Sequence, residues 1–107
     1  MLVSVAPKPG SSPELRRFET AFEERFGRKP GPYGAIGYEA MRSVLAAISA
    51  AGDRAGTRQA VIDAYFAAAE RRGTVLGDYA LGPRGQIAPA RFTAFRVRGG
   101  RAEYVLR

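Results

Sequence analysis

The apolar stretch of residues 33 to 51 constrains the fold of this chain more than any other feature of its sequence. Large apolar residues recur there at helical spacing, and many of the other positions are Ala or Ser. The pattern predicts a helix from about Tyr33 to Ala51 that ends at Gly52 and can pack closely on more than one side. Such a helix needs a sheet or other helices to cover it. Its apolar positions include Ile36, Ala40, Met41, Val44, Leu45 and Ile48.

One further helix is predicted on each side of this segment. The first begins at Ser11 or Ser12, either of which can cap it, and ends at Gly27, which can adopt a left-handed conformation. The last starts near Thr57 and stops before Gly73. The first helix has an apolar stripe of Leu15, Phe18, Phe22 and Phe26. The last helix is predicted to face the core with Ala60, Val61, Ala64, Tyr65 and Ala68.

Short strands are predicted before and after the helices. Residues 2–6 indicate a buried strand, and residues 74–81 indicate another, followed by a Gly-Pro-Arg-Gly turn. Residues 91–106 predict a β-hairpin whose two-residue loop is Gly99-Gly100. The order of one strand, three helices and then strands gives an α/β fold class, but it does not make an obvious closed domain. It is typical of a fragment, or of a protomer that needs a partner.

The residue types on which many enzymes depend are missing. The 107 residues include no Cys and no His, which excludes disulfides, thiol chemistry, Cys-based zinc sites and imidazole catalysis. The glycines of residues 31–37 match neither a phosphate-binding loop nor a dinucleotide-binding motif. Glu19, Glu23 and Glu24 have arginines nearby, so surface ion pairs are expected rather than acid–base chemistry. We therefore predict a protein that is not an enzyme and that binds no metal or cofactor.

Positive charge is concentrated in the last third of the chain. Residues 71–107 contain eight Arg and only two acids, which accounts for +6 of the net charge of +7. A solvated arginine-rich face explains this bias, and contact with nucleic acid or an acidic membrane surface is the alternative. Arg96, Arg98 and Arg101 would carry a nucleic-acid contact, but no recognisable reading motif accompanies them, so no nucleic-acid partner is expected. The apolar start of the chain is too short to predict a signal peptide.

Two tyrosines near the start of the second helix are candidate ligand-binding residues. Tyr33 and Tyr38 lie among Gly and Ala, whose small side chains leave the rings accessible. The alternative for each ring is ordinary packing, with its hydroxyl group hydrogen-bonded.

Four motifs follow one another along the chain. The aromatic first helix ends in Phe26-Gly-Arg-Lys-Pro, and the second motif reads Tyr33-Gly-Ala-Ile-Gly-Tyr-Glu-Ala. The third reads Val44-Leu-Ala-Ala-Ile-Ser-Ala-Ala-Gly-Asp-Arg, and the fourth reads Val75-Leu-Gly-Asp-Tyr-Ala-Leu-Gly-Pro-Arg-Gly-Gln. In this order and spacing they resemble the C-terminal third of the leucine/isoleucine/valine-binding protein family. These are type I periplasmic binding proteins, the receptors of ABC importers.

The resemblance implies a partial type I periplasmic-binding-protein fold, in which two α/β lobes are joined by three crossing strands around a ligand cleft. Residues 1–10 would be a crossing strand and loop, and residues 11–73 the helical part of the first lobe. Residues 74–107 would be the last crossing and the C-terminal hairpin of the second lobe. An aromatic residue that packs on the ligand often occupies the position of Tyr33 in the family. The strands that grip the ligand lie upstream there, so a C-terminal fragment is expected.

The resemblance also implies a function. It indicates the ligand-binding component of an ABC importer for branched-chain or other amino acids, or for a similar small polar solute. The partners would be that solute and a membrane permease, and the location would be extracytoplasmic, in the periplasm or as a cell-surface lipoprotein. A ligand-sensing domain of the same fold and a small basic nucleic-acid-binding module are the alternatives. Because the upstream strands are absent, the isolated chain is expected to form a homo-oligomer.

Overall fold

The structure is a computed structural model that describes residues 2–4, 7–89 and 92–106. It is an α/β chain of three helices and two small antiparallel sheets, and a 3-10 turn at Gly52–Arg54 joins the second helix to the third. The predicted order of a strand, three helices and then strands is confirmed. The elements are β1 (Leu2–Ser4), α1 (Pro13–Phe26), α2 (Gly34–Ala51), α3 (Arg58–Ala67), β2 (Glu70–Thr74), β3 (Gly77–Leu81), β4 (Ile87–Ala88), β5 (Thr93–Arg98) and β6 (Arg101–Leu106).

The ends of α1 and α2 follow from capping residues in the sequence. The Ser12 hydroxyl accepts a hydrogen bond from the Leu15 backbone N–H at 3.1 Å, which satisfies a free donor of the first turn of α1. Gly27 ends that helix with a left-handed φ of 70°, and Gly52 ends α2 with a φ of 56°. The predicted limits of these two helices are confirmed.

The first sheet has the order β1-β5-β6. Gly99 and Gly100 join β5 to β6 with φ angles of 57° and 75°, as the predicted hairpin loop requires. The predicted strand is present at Leu2–Ser4, but the prediction that it is buried is wrong, because β1 lies at the edge of this sheet and exposes Leu2 and Val3. Residues 5 and 6 lie outside the described residues.

The second sheet, β2-β3-β4, differs most from the sequence-based prediction. Strand β2 begins at Glu70, where no strand was predicted, and residues 74–81 are not one strand. The Thr74 hydroxyl donates to the Gly77 carbonyl at 2.6 Å and accepts from the Leu76 N–H at 3.1 Å, which closes a tight turn between β2 and β3. The predicted turn at residues 82–85 is confirmed, and it leads into the unpredicted strand β4.

Helix α2 buries its small and polar residues rather than its large apolar ones. Its buried positions occur at every fourth residue and therefore share one face: Ala35, Glu39, Ser43 and Ala47. The large apolar residues on the opposite face are exposed: Met41, Val44, Leu45 and Ile48. Ile36 is half-buried. The expectation that this chain cannot cover all of them is confirmed.

The molecule is open and its apolar core is small. The radius of gyration is 16.1 Å, whereas a compact domain of this length would have roughly 13 Å. Among the residues that the structure describes, the buried apolar side chains are Leu15, Ala35, Ala47 and Ala94. Among the described helices, none has the length and apolar character needed to cross a membrane. The described helices and sheets thus bury little apolar surface between them.

Candidate functional site

The two tyrosines singled out from the sequence are both accessible. Tyr33 directly precedes α2 and is 61% exposed, and Tyr38 in the second turn is 47% exposed. The ring of Tyr38 lies 4.9 Å from that of Phe18 between ring centres. Five residues along a helix correspond to a rotation of about 140° around its axis, so the two rings lie on different sides of α2. The structure therefore does not bring Tyr33 and Tyr38 together into one site.

A groove of about 740 Å³ runs between α1 and the start of α2. Four aromatic rings line it: Phe18, Phe22, Phe26 and Tyr38. The predicted aromatic stripe of α1 therefore forms a groove wall. Phe18 and Phe22 are half-buried, and Phe26 is 59% exposed. Tyr33 is not among the residues that line this groove.

A buried carboxylate links α2 to the second sheet. Glu39 is 2% exposed and its Oε1 accepts a hydrogen bond from the hydroxyl group of Tyr79 on β3 at 2.7 Å. Its Oε2 lies 3.1 Å from Nε of Arg42, one turn further along α2. A buried charge is tolerated only when it is paired and hydrogen-bonded, and Glu39 meets both conditions. This contact joins residues 40 positions apart in the chain.

The pKa values of the partners reflect this arrangement. Burial and, second to it, the hydrogen bond to Glu39 together raise the pKa of Tyr79 to about 12. The hydrogen bond and the charge of Glu39 also raise the pKa of Arg42. The Tyr79 phenol is therefore neutral and the Arg42 guanidinium charged at neutral pH.

Arg71 on β2 extends the network toward α3. Its guanidinium lies 4.5 Å from the ring centre of Tyr65, an arrangement that favours a cation–π interaction. The same group donates hydrogen bonds to the carbonyls of Tyr65 at 3.0 Å and Ala68 at 2.9 Å. These carbonyls lie at the C-terminal end of α3, where backbone acceptors lack helical partners. Arg71 thereby ties the second sheet to α3.

Sequence reasoning missed this network. The available signal was that Glu39 is the only acid in α2, a helix otherwise rich in Ala, Ser and large apolar residues. The spacing of the large apolar residues nevertheless placed this acid on the opposite side of the helix, so periodicity did not predict that it is buried. In the sequence Tyr38-Glu39-Ala40, the tyrosine was predicted to bind ligand, but Glu39 makes the long-range contact within the structure.

The surface carboxylates of α1 do not form the predicted ion pairs. Glu19 accepts a hydrogen bond from the Gly10 N–H at 2.9 Å, and the pair that forms on this helix is Arg17–Glu14 at 3.7 Å. A backbone N–H, rather than an arginine, is therefore the partner of Glu19. Within residues 2–4, 7–89 and 92–106, no group of three or more acids could hold a metal ion.

The β5–β6 hairpin carries the basic residues noted in the sequence. Arg96 pairs across the strands with Glu103, and Arg98 with Arg101, so all four occupy one face. Arg98 lies 3.7 Å from Glu103. The other face places Phe95 opposite Tyr104 with ring centres 5.8 Å apart. The arginines are exposed to solvent.

Two solved structures match this arrangement over almost the whole chain. One is the leucine-binding protein LivK from Thermotoga maritima, with a TM-score of 0.75 over 95% of this chain and 20% identity. The other is an ABC transporter solute-binding protein from R. palustris in complex with benzoate, with a TM-score of 0.77 over 97% of this chain and 19% identity. The chain has a partial periplasmic-binding-protein fold.

The part of that fold present here is limited. The chain spans 28% of the length of each of the two solute-binding proteins. No family model matches the sequence, and no curated protein matches it. The neighbours of this partial binding-protein fold are binding proteins rather than enzymes. The exposed face of α2 and the Glu39 network are features of a segment that corresponds to little more than a quarter of those proteins.

Proposed function

We propose that this chain is the C-terminal part of the ligand-binding receptor of an ABC importer. The observation that carries the proposal is the match of 95–97% of the chain to two solute-binding proteins with TM-scores of 0.75 and 0.77. The ligand would be an amino acid, branched-chain or other, or a similar small polar solute. The leucine-binding neighbour supports an amino acid, whereas the benzoate complex of the other extends the class to small carboxylates.

The proposed mechanism is capture without chemistry. The receptor holds its solute by closure of two lobes about crossing strands and then delivers it to a membrane permease. Residues 1–10 and the segment that begins at residue 74 would contribute crossings, and residues 11–73 the helices of the first lobe. The Tyr79–Glu39 hydrogen bond supports this assignment, because it fixes β3 against α2. The protein would work outside the cytoplasm, in the periplasm or at the cell surface.

Tyr33 and Tyr38 are the proposed ligand contacts. Tyr33 offers an exposed ring at the N-terminal end of α2, where it can pack on a bound solute. Tyr38 lies in the aromatic groove beside Phe18, so it would approach a ligand only with its outer edge. Tyr33 is therefore the main candidate and Tyr38 the secondary one.

We also propose that the isolated chain self-associates. The apolar residues exposed on α2 would otherwise remain in water, at a cost of roughly 1.5 to 3 kcal/mol for each side chain that stays uncovered. A protein of this size has a total stability of only about 5 to 15 kcal/mol. Pairing of two copies removes part of that exposed surface from water.

A chimera tests the proposed receptor function. The chain would replace the corresponding segment of LivK from Thermotoga maritima, and leucine binding would be measured by isothermal titration calorimetry. We expect binding, with Tyr33→Ala weakening it by about 1 to 3 kcal/mol through lost aromatic burial. Tyr33→Phe should retain most of the affinity, and Phe92→Ala, which removes a different exposed ring, should change little.

Two outcomes of that experiment contradict parts of the proposal. A chimera that melts cooperatively but binds benzoate and not leucine would exclude an amino acid as the ligand. Unchanged leucine affinity in Tyr33→Ala, with an unchanged melting temperature, would assign that ring to ordinary packing.

A further inference from the structure

The outward face of α2 is a continuous apolar stripe. Four residues with the spacing i, i+3, i+4, i+7 lie along one side of the helix: Met41, Val44, Leu45 and Ile48. Their exposed fractions are 58%, 41%, 56% and 41%. Contiguous exposed apolar surface of this kind marks an interaction site more often than scattered apolar residues do. The segments outside the described residues are one or two residues long, which is too short to cover the stripe.

Three sides of α2 differ in their chemistry. The inward side is buried and carries Glu39, and the stripe lies on the opposite side. Between them is a third side with Arg42 and Ala46, which are four residues apart and both exposed. Arg42 is the only basic residue of α2, and a charged group favours contact with water on that side. A helix with one buried side and a second apolar side is typical of an inner element that is packed from two directions.

A glycine at the start of the stripe points to a close neighbour that this chain does not supply. Gly37 lies one turn before Met41 on the same side of α2. Its φ is not positive, so the backbone does not require glycine there, and glycine is less stable than alanine within a helix. Outside its own stretch of helix, no described residue lies within 4 Å of the place that a Cβ would take. The open space at Gly37 therefore allows another backbone to approach α2 closely.

The matched structures indicate which neighbour this is. The match includes 95% and 97% of this chain but only 28% of each solute-binding protein, so nearly three quarters of that fold lies outside the chain. The stripe contains no ionisable group, and burying an unpaired charge against it would be costly. The surface that covers the stripe is therefore expected to be apolar and uncharged.

We infer that the outward stripe of α2 is the face on which the remainder of the solute-binding fold packs, through an apolar and uncharged surface, while the Arg42 side stays in water. This inference rests on the proposed receptor function and deepens it, because it assigns the contact with the rest of the receptor to one side of one helix. In the complete fold, α2 is then held from two directions, by the Glu39 contact within this chain and by the stripe.

Thiol labelling in the LivK chimera tests this contact. The chain contains no Cys, so Leu45→Cys places one thiol on the stripe and Ala46→Cys places one on the Arg42 side, with any cysteine of the LivK part replaced by serine. In the chimera, a maleimide should label Leu45→Cys at least about tenfold more slowly than Ala46→Cys, because the first thiol is covered. In the isolated chain at low micromolar concentration, both positions are exposed and the two rates should agree within about threefold.

Thermal denaturation of the chimera gives a second measurement. Leu45→Ser should lower the melting temperature by at least about 3 °C more than Ala46→Ser, because it removes apolar atoms from a covered position. A chimera that melts cooperatively but labels both thiols at equal rates overturns the inference, and leucine binding by that chimera would leave the proposed function standing. Slow labelling of Leu45→Cys in the isolated, dilute chain also overturns it, because this chain or a second copy would then cover the stripe. A chimera without a cooperative melt overturns both the inference and the proposed function.

Discussion

The two faces of α2 are built on opposite principles. The inward face carries Ala35, Ser43 and Ala47 around the buried Glu39, so small size and one polar contact hold it in place. The outward face carries larger and more apolar side chains, yet it lies in solvent. The inward face therefore fixes the position of the helix within this chain. The outward face exposes more apolar surface, so burying it would release more hydrophobic free energy. In a partial fold, apolar character alone does not identify the core.

The largest effect should come from leaving the Glu39 carboxylate without its cation. Arg42→Ala removes the guanidinium 3.1 Å away, and we expect the free energy of unfolding to fall by about 2 to 3 kcal/mol. This is below the value for a fully buried pair, because Arg42 is 48% exposed and partly screened by water. Urea denaturation provides the measurement.

The control for that variant is Arg17→Ala. Its pair with Glu14 is long and solvent-exposed, so we expect a loss of about 0 to 1 kcal/mol. Equal effects of the two variants would show that Glu39 is stabilised by Tyr79 alone.

Enlarging a side chain should next distinguish a buried position of α2 from an exposed one. Ala47→Leu would overpack the inward face, and we expect a destabilisation of about 1 to 3 kcal/mol. Ala46→Leu adds the same atoms at an exposed position and should change the free energy of unfolding by less than about 0.5 kcal/mol. If both variants unfold at the same urea concentration, the inward face is not tightly packed.

The contribution of Tyr79 to the free energy of unfolding should depend on pH in the alkaline range. Because its pKa in the folded protein is raised to about 12, from about 10 in an unfolded chain, the unfolded state loses the proton first. The stabilisation from neutral Tyr79 is complete below pH 10 and is lost as the pH rises toward 12. Tyr79→Phe should cost about 1 to 2 kcal/mol at pH 8, and its difference from wild type should shrink above pH 10.

That prediction is checked by urea titrations of both proteins at several pH values. A difference that stays constant from pH 8 to pH 12 would mean that the phenol is not hydrogen-bonded to a buried carboxylate. Glu39→Gln is an informative companion, because the amide keeps an acceptor for Tyr79 without the charge.

The smallest effect is expected on the outward face of a dilute, monomeric chain. Ile48→Thr keeps a β-branched side chain in the same helix and removes exposed apolar surface, so the free energy of unfolding should change by less than about 0.5 kcal/mol. Thermal denaturation at low micromolar concentration is the measurement. A loss of more than about 1 kcal/mol would show that this chain itself covers the outward face.

Helix limits and the hairpin could be predicted because local chemistry fixes them. Ser12, Gly27, Gly52 and the Gly99-Gly100 pair act within a few residues of the features they determine. The order of elements followed from periodicity in the same way. The uncovered stripe of α2 was also predictable, because so few strands accompany an apolar helix.

The rest depends on contacts distant in the sequence. Strand β2 includes Glu70, Arg71 and Arg72, which give no apolar alternation, and Arg71 is buried only because the end of α3 and Tyr65 receive it. Likewise, Glu39 meets Tyr79 across 40 residues, a pairing that no local pattern encodes. The positions of Tyr33 and Tyr38 on different sides of α2 follow from their spacing alone, yet their role as ligand contacts remains a prediction.

The hydrogen bond from the Tyr79 hydroxyl to Glu39 also fixes the position of β3 along α2. Successive side chains of a strand point to opposite faces of the sheet. A shift of β3 by one residue would therefore turn Tyr79 away from α2 and leave Glu39 without this hydrogen bond. The register therefore opposes small shifts of β3 along α2, and we expect the two elements to move together as a rigid unit. Strand β4 pairs with β3 and the turn at residues 82–85 is hydrogen-bonded within itself, so this small sheet keeps its place beside α2 as a whole.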